Sequence, residues 1–323
     1  MTNDLVRINH ADATRKHILF VPWTIGNICN YQCDYCPPQL HNGTRKWIPP
    51  HKILLFAGRL IASARSRGKT VCIQLSTGEI TLMPGLLDVL GELKQMGSQL
   101  AIISNGSKSQ KFWRQVVTSL DHLVLSFHPG WTEIQHFREI VDVASGATRT
   151  HINIAAPPSY FDKAVAAAEY LVANCRDVTI LLKPMLIDFK TQLYPYSVEQ
   201  MAVFRERSFI AETTRPIVDV RGDMIAEFAN GELRTLEASQ FLVENINHWR
   251  GWDCYAGVEV LSIKYSGEIY RGVCGEGGPI GNVNRPSEFD LPIFPVRCSR
   301  ETCSCLLDVM TTRHRPLRGE AEL

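Results

Sequence analysis

Three closely spaced cysteines are the residues most able to do chemistry in this 323-residue chain. Cys29, Cys33 and Cys36 form a CxxxCxxC pattern just beyond the first predicted strand. Three thiolates on one short loop can bind three irons of a [4Fe–4S] cube and leave the fourth iron without a protein ligand. A structural zinc site is the alternative, because His41 is near enough in sequence to supply a fourth ligand. The spacing therefore predicts a metal centre, and an open iron would make it a reactive one.

A second group of cysteines lies around and after a predicted hairpin near the C-terminus. Cys254 and Cys274 flank two short predicted strands, and a hairpin would bring these two thiols to one centre. Cys298, Cys303 and Cys305 come next, in a stretch where glycine and proline replace regular periodicity. Such a segment is typical of a small module organised by a metal rather than by an apolar core. We predict that four of these five cysteines bind a second metal centre, with a zinc ribbon as the alternative.

Composition favours an ordinary globular enzyme. Hydrophobic residues make up 45% of the chain and charged residues 21%, and 34 basic against 33 acidic side chains give a net charge of +1. This balance leaves a nucleic-acid partner as an unsupported alternative. The polar N-terminus and the lack of a long apolar run predict a cytoplasmic protein without a membrane segment. In a reducing compartment, 10 cysteines indicate metal binding before disulfides, although Cys72 and Cys175 are predicted to be buried core residues.

The elements that position these residues alternate between strand and helix. The predicted strands are His17–Ile25, Thr70–Ser76, Gln99–Ser104, His122–His128, Thr150–Ala155 and Val178–Met185. The predicted helices are Lys52–Ser66, Met83–Met96, Lys108–Leu120, His136–Ala144, Tyr160–Asn174 and Ser197–Arg207. Six βα units predict an α/β fold, a partial (β/α)6 TIM-like barrel whose functional groups lie at the C-terminal ends of the strands.

The alternation of predicted strands and helices ends after the barrel. A pair of short strands is predicted within Ile217–Phe228, and one helix over Leu236–Trp249. The last residues, which include Arg313, Arg315 and Arg318, are predicted to be a solvated tail. The resulting division is an N-terminal extension (1–16), a barrel (17–215), a linker hairpin and helix (216–253), a cysteine-rich module (254–310) and a tail (311–323).

The cysteine loop, with Tyr35 directly before its third cysteine, resembles the signature of the radical S-adenosylmethionine (SAM) superfamily. The resemblance implies that the open iron of a [4Fe–4S] cluster chelates S-adenosylmethionine and that reductive cleavage yields a 5′-deoxyadenosyl radical, which removes a hydrogen atom from a substrate. The C-terminal cysteines and hairpin resemble the SPASM/twitch extension, which carries auxiliary [4Fe–4S] clusters. Five cysteines rather than the usual seven favour a twitch-type module with one auxiliary cluster.

Further positions are similar to the family's cofactor-binding pattern. Ser76-Thr77-Gly78-Glu79 resembles the GGE motif that binds the methionine amino group, with Thr77 in place of the first glycine. Ser104-Asn105-Gly106 is similar to the TNG segment, and Ser126 to a ribose-binding serine. The resemblance also places Tyr35 beside the adenine. It places backbone groups near Asn153 and Met185 at the edge of the adenine ring. The residues expected to contact the cofactor are Tyr35, Thr77, Gly78, Glu79, Asn105, Ser126, Asn153 and Met185.

Three polar residues at strand ends are candidates for substrate contact or proton transfer: His128, Lys183 and Asp188. A loop start at His128 and a structural ion pair at Lys183 are the alternatives. We expect an oxidation or bond-forming enzyme that acts on a small molecule or a peptide and uses an external electron donor such as flavodoxin or ferredoxin. About 20 residues precede the barrel, which favours a small metabolite or a peptide presented by a separate partner. An RNA-modifying enzyme of the same superfamily and a non-catalytic iron–sulfur electron carrier are the alternatives.

Overall fold

The computed structural model describes residues 5–189, 192–214 and 222–316. The helices in these ranges are α1 Pro50–Arg65, α2 Leu86–Gln95, α3 Gln110–Val116, α4 Ile134–Ser145, α5 Phe161–Asn174, α6 Val198–Glu206 and α7 Ala238–Val243. The strands are β1 Leu5–His10, β2 Ile18–Thr24, β3 Thr70–Ser76, β4 Gln99–Ser104, β5 His122–Phe127, β6 Arg149–Ala156, β7 Val178–Pro184, β8 Met224–Phe228, β9 Leu233–Leu236, β10 Asp253–Cys254, β11 Ser262–Ile263, β12 Glu268–Tyr270, β13 Pro279–Asn282, β14 Val296–Arg297 and β15 Arg313–His314. No helix in the described ranges is long and apolar enough to cross a membrane.

Strands β2 to β7 lie side by side in chain order, all parallel, and alternate with α1 to α6. Leu19, Val21 and Trp23 of β2 pack into the main core on one face of this sheet, whereas Phe20 lies on the other, inner face. Parallel strands that are covered on both faces are apolar along their whole length, which makes them easy to recognise in a sequence. The predicted α/β fold class is confirmed.

A second sheet, with the order β14-β10-β15-β1-β8-β9, joins residues from both ends of the described chain. Strand β1 pairs antiparallel with β8 and with β15. Leu5 and Ile8 of β1 enter a separate core with Phe241 and Trp249. The described part of the predicted N-terminal extension is therefore a strand of this sheet. An irregularity between Leu5 and Arg7 interrupts the alternation by which a strand is recognised.

The hairpin predicted between Cys254 and Cys274 forms from β11 and β12. It extends the barrel sheet, because Ile263 of β11 pairs in parallel with Trp23 of β2. The cysteine-rich module and the barrel thus share one sheet, with the order β13-β12-β11-β2 at this edge. Cys254 and other module residues consequently pack against the inner face of the barrel at Phe20.

The pair of strands predicted within Ile217–Phe228 is described only in part, because residues 217–221 lie outside the described residues; the described part contains β8, which pairs with β1 and β9. The other linker prediction was wrong in extent. The helix predicted over Leu236–Trp249 is α7 alone. The chain leaves the helix at Asn245, whose φ of 56° is a left-handed conformation that asparagine tolerates and that ends helices.

The prediction of a solvated tail from residue 311 was wrong for the described part of that segment. Thr311, Thr312 and Arg313 are buried, and β15 lies between β10 and β1 in the second sheet. A strand of two residues has no periodicity, and the arginines nearby resemble a solvent-exposed segment. Arg315 is exposed as expected, and Arg318 lies outside the described residues.

Candidate functional site

The three-cysteine loop begins directly after β2. Cys33 is buried, Cys29 and Cys36 are half-buried, and the amide of Cys36 donates to the carbonyl of Cys33 at 3.0 Å. Burial, together with the charges of neighbouring thiols, raises the pKa of Cys33 to about 11 and that of Cys36 to about 12. Three adjacent thiols in such surroundings become thiolates only when a metal replaces their protons. Their chemistry and mutual proximity fit the three-thiolate side of an iron–sulfur cluster.

Gly78 allows this loop to lie against the end of β3. A Cβ atom at Gly78 would be 2.6 Å from the carbonyl oxygen of Ile28 and 2.7 Å from the Cβ of Cys29. A hydrogen bond stabilises this contact, because the amide of Glu79 donates to the same carbonyl of Ile28 at 2.7 Å. Only glycine permits this approach, so Gly78 fixes the position of the first cysteine.

Glu79 links the ends of β3 and β4. Its Oε1 accepts hydrogen bonds from the amide and hydroxyl of Thr81 at 2.9 and 2.7 Å and from the hydroxyl of Ser104 at 2.8 Å. Its Oε2 accepts one bond, from the amide of Asn105 at 2.7 Å. The side chain is fully buried rather than an exposed strand-end carboxylate. A carboxylate oxygen has two lone pairs, so Oε2 keeps one acceptor position for a further donor.

Asn30, which sequence reasoning missed, connects the cysteine loop to β4. The Nδ2 of Asn105 donates to the Oδ1 of Asn30 at 2.9 Å, and the Nδ2 of Asn30 contacts Ser107 Oγ at 3.0 Å. Thr77 lies beside Gly78, and its Oγ1 is buried with no hydrogen-bond partner among the described residues. A buried hydroxyl without a partner is unusual, and a bound polar molecule would satisfy it.

Tyr35 and His128 form one wall of the site. Tyr35 Oη and His128 Nδ1 are 2.8 Å apart, and the two rings are nearly parallel at 13°. Burial, with the nearby charge of Lys183, lowers the pKa of His128 to about 4, so the imidazole is neutral near pH 7. Tyr35 also packs with Cys33, Ala155 and Met185, which places its ring next to the cysteine loop.

The remaining predicted contacts lie along the inner face of β5 to β7. Ser126 and Asn153 are direct neighbours on β5 and β6. Met185 follows β7. Its amide donates to Tyr196 Oη at 2.7 Å, and its carbonyl accepts from the amide of Tyr194. Its side chain packs with Cys33 and Tyr35. Tyr196 was not singled out by sequence reasoning.

A cavity of about 470 Å³ lies between the end of β7 and the cysteine-rich module. All five C-terminal cysteines line it, and so do Lys183 and Met185. The five cysteines are Cys254, Cys274, Cys298, Cys303 and Cys305. Asp188 lies in a turn with a left-handed φ of 52°, next to Phe189 of the cavity wall. Met185 packs with Cys33 and also lines this cavity.

Burial keeps three of the C-terminal thiols protonated as long as no metal is bound. Burial raises the pKa of Cys254, Cys274 and Cys303, so these thiols ionise only with a metal present. In the described parts of the chain, no three His, Cys, Asp or Glu side chains are arranged to hold a single metal ion.

Comparisons with known proteins agree with this architecture. No family model matches the chain. A probable GTP 3′,8-cyclase from Sulfurisphaera tokodaii is 27% identical over 122 residues, which is 37% of this chain and only 37% of that relative's own length.

Two solved structures share the fold. One is anSMEcpe with bound AdoMet, which has a TM-score of 0.51 at 12% identity and a match over 82% of this chain and 78% of that one. The other is Streptococcus suis SuiB bound to the precursor peptide SuiA, which has a TM-score of 0.52 at 12% identity and a match over 86% of this chain and 66% of that one.

Proposed function

We propose that this chain, which shares its fold with the radical S-adenosylmethionine enzymes anSMEcpe and SuiB, is itself a radical S-adenosylmethionine enzyme. The observation that carries the proposal is the position of the three-cysteine loop. The loop follows β2 and is fastened to the end of β3 by the contact of Gly78 and Glu79 with Ile28. Functional groups of parallel βα folds lie at this end of the strands.

Each residue near the loop has a separate task. Cys29, Cys33 and Cys36 hold a [4Fe–4S] cluster, which supplies the electron for cleavage of S-adenosylmethionine to a 5′-deoxyadenosyl radical. Glu79 offers the remaining acceptor position of Oε2 to the cofactor's ammonium group. Thr77 Oγ1 provides a second unused polar atom beside it.

His128 is better suited to positioning than to storing a proton. With a pKa of about 4 it is a weak base at neutral pH, and its hydrogen bond with Tyr35 orients that ring beside the cysteine loop. Lys183 lines the cavity beside the C-terminal cysteines and is a candidate for contact with a substrate bound there. A substrate next to Met185 is within reach of both metal centres.

Four of the five C-terminal cysteines hold an auxiliary [4Fe–4S] cluster, which binds substrate or accepts an electron from it. The substrate is a small molecule or a peptide. SuiB was solved with a precursor peptide, which supports the peptide class. Reduction of the first cluster requires an external donor such as flavodoxin or ferredoxin.

The test is cleavage of S-adenosylmethionine by anaerobically reconstituted protein. With dithionite, the parent chain should release 5′-deoxyadenosine, and Cys33→Ala should not, because a cluster with two thiolates is poorly retained. Cys175→Ala is the matched control, since Cys175 is a buried core residue at the end of α5 and belongs to neither site. Cleavage by Cys33→Ala at the parent rate would refute the proposal.

A further inference from the structure

Arg313 is a buried cation in the wall of the C-terminal cysteine cavity. Only 2% of the residue is exposed, and it lines the cavity together with all five cysteines. Its backbone pairs with that of Cys254 across β15 and β10. Burial of a charge is costly unless a partner of opposite charge compensates it.

The hydrogen bonds of the guanidinium group do not supply that charge. Nη1 donates to the carbonyl oxygens of Val309 and Thr311, and Nη2 donates to the carbonyl oxygen of Asp308 at 2.7 Å. The ring of Trp249 lies 4.0 Å from the guanidinium carbon. These neutral partners fix the orientation of the group and leave its full positive charge in place.

No carboxylate of the described residues is within ion-pair distance of Arg313. The carboxylate of Asp308 accepts hydrogen bonds from two backbone amides instead, with Oδ1 bound by the amide of Val273 at 3.0 Å and Oδ2 by that of Cys274 at 2.6 Å. Asp308, at the start of the segment 308–313, therefore holds the backbone of Cys274, and Arg313, at its end, faces Cys303.

Two nitrogen atoms of Arg313, Nη2 and Nε, indicate the role of its charge. Arg313 Nη2 donates a hydrogen bond to Cys303 Sγ at 3.5 Å. Arg313 Nε is buried and has no hydrogen-bond partner among the described residues. A guanidinium group with one N–H on a cysteine sulfur and another unused is arranged for an anion larger than a single thiolate.

We propose that Arg313 is the resident counter-charge of the C-terminal metal site, donating N–H groups to the sulfur atoms of an anionic iron–sulfur cluster. The inference rests on the proposed auxiliary cluster and assigns this chain's own charge to it. Hydrogen bonds to cluster sulfur and a nearby positive charge both favour the reduced state. Arg313 therefore sets the reduction potential of the auxiliary cluster and helps to retain it.

The experiment uses the full chain with Cys29, Cys33 and Cys36 replaced by alanine, so that only the C-terminal site can hold iron. Arg313→Met removes the charge at similar volume, and Arg313→Lys keeps the charge but not the fork of N–H groups. Arg315→Met is the control, because Arg315 is exposed and two residues away. Midpoint potentials come from a titration followed by electron paramagnetic resonance, and retention from the rate of iron loss to a chelator.

We expect Arg313→Met to shift the midpoint potential to more negative values and to lose iron at least about tenfold faster, the effect of one lost hydrogen bond to a charged group. Arg313→Lys should lie between the parent and Arg313→Met, and Arg315→Met should match the parent. If Arg313→Met is insoluble, Arg313→Gln, which removes the charge but keeps a polar side chain, decides the question, and a parental potential in that variant overturns the inference. A parental potential and retention in Arg313→Met overturn it too. Absence of iron in the parent of this series would instead refute the auxiliary cluster itself.

Discussion

The contact between Gly78 and the cysteine loop makes Gly78→Ala a sharp perturbation. The added Cβ would stand 2.6 Å from the Ile28 carbonyl oxygen, so the backbone must move by about 0.8 Å to reach an ordinary contact of 3.4 Å. That movement breaks the 2.7 Å hydrogen bond from the Glu79 amide and carries Cys29 with it. Overpacking costs about 1–3 kcal/mol, and the lost hydrogen bond about 1 kcal/mol more. We expect the free energy of unfolding to fall by about 2–4 kcal/mol.

The displacement matters more for the metal, because ligand distances tolerate only about 0.2 Å. Gly78→Ala should therefore bind markedly less iron and release 5′-deoxyadenosine at least tenfold more slowly. Gly91→Ala is the matched control. Gly91 lies within α2 with nothing within 4 Å of its added Cβ, so alanine should stabilise the protein by about 0.5–1 kcal/mol. Urea unfolding, iron analysis and cleavage assays on both variants are the measurements. Parental iron content and turnover in Gly78→Ala would show that the contact does not position the loop.

Three further outcomes are expected. Glu79→Gln replaces an acceptor oxygen with an amide group among four donors, so denaturant titration should show that the free energy of unfolding falls by about 1–3 kcal/mol. Equilibrium dialysis should show a weaker affinity for S-adenosylmethionine, and an unchanged affinity would remove Glu79 from the cofactor site. Because the pKa of His128 is lowered to about 4, the unfolded chain binds an extra proton between its ordinary pKa and pH 4, and stability should fall as the pH drops through that window. Circular-dichroism melts should show a shallower fall in His128→Gln, and identical slopes would contradict this. The chain with Cys29, Cys33 and Cys36 all changed to alanine should keep about four irons by iron and sulfide analysis with Mössbauer spectroscopy, whereas zinc in their place would support the zinc-ribbon alternative.

The barrel could be predicted from the sequence because its strands are buried on both faces. Strands β3 and β4 begin and end at the predicted residues, since each is a short apolar run bounded by polar or turn residues. The motif after β3, Ser76-Thr77-Gly78-Glu79, could also be recognised from the sequence, whereas the burial of Glu79 could not. Sequence position says that a carboxylate ends a strand, but only the fold says that Ser104 and Asn105 of the next strand end surround it.

The second sheet could not be predicted, for a physical reason. β10, β14 and β15 have two residues each, so neither period nor propensity distinguishes them from loop. β10 pairs with β14 and β15, which lie about 40 to 60 positions farther along, and β15 pairs with β1 about 300 positions earlier. Arg313 was therefore interpreted as part of a solvated tail although it is among the most buried charged residues of the described chain. Asn30 was missed for a related reason, because its partner Asn105 lies 75 residues farther along the chain.

The pairing of β1 with β15 also constrains how the protein is made. Arg7 stands opposite His314, and His314 Nε2 lies 3.1 Å from Asn9 Oδ1, so the centre of the second sheet is closed by residues about 300 positions apart. Barrel strands β2 to β7 need only near neighbours and can assemble on the ribosome as they emerge. Strand β1, which is synthesised before the other described strands, has to wait with an unpaired edge until residue 314 has left the exit tunnel. Such long-range closure is slow and leaves that edge open to aggregation. The proposed auxiliary metal would therefore be inserted at the end of biosynthesis, and a chain truncated before β15 should have a formed barrel and an incomplete C-terminal site.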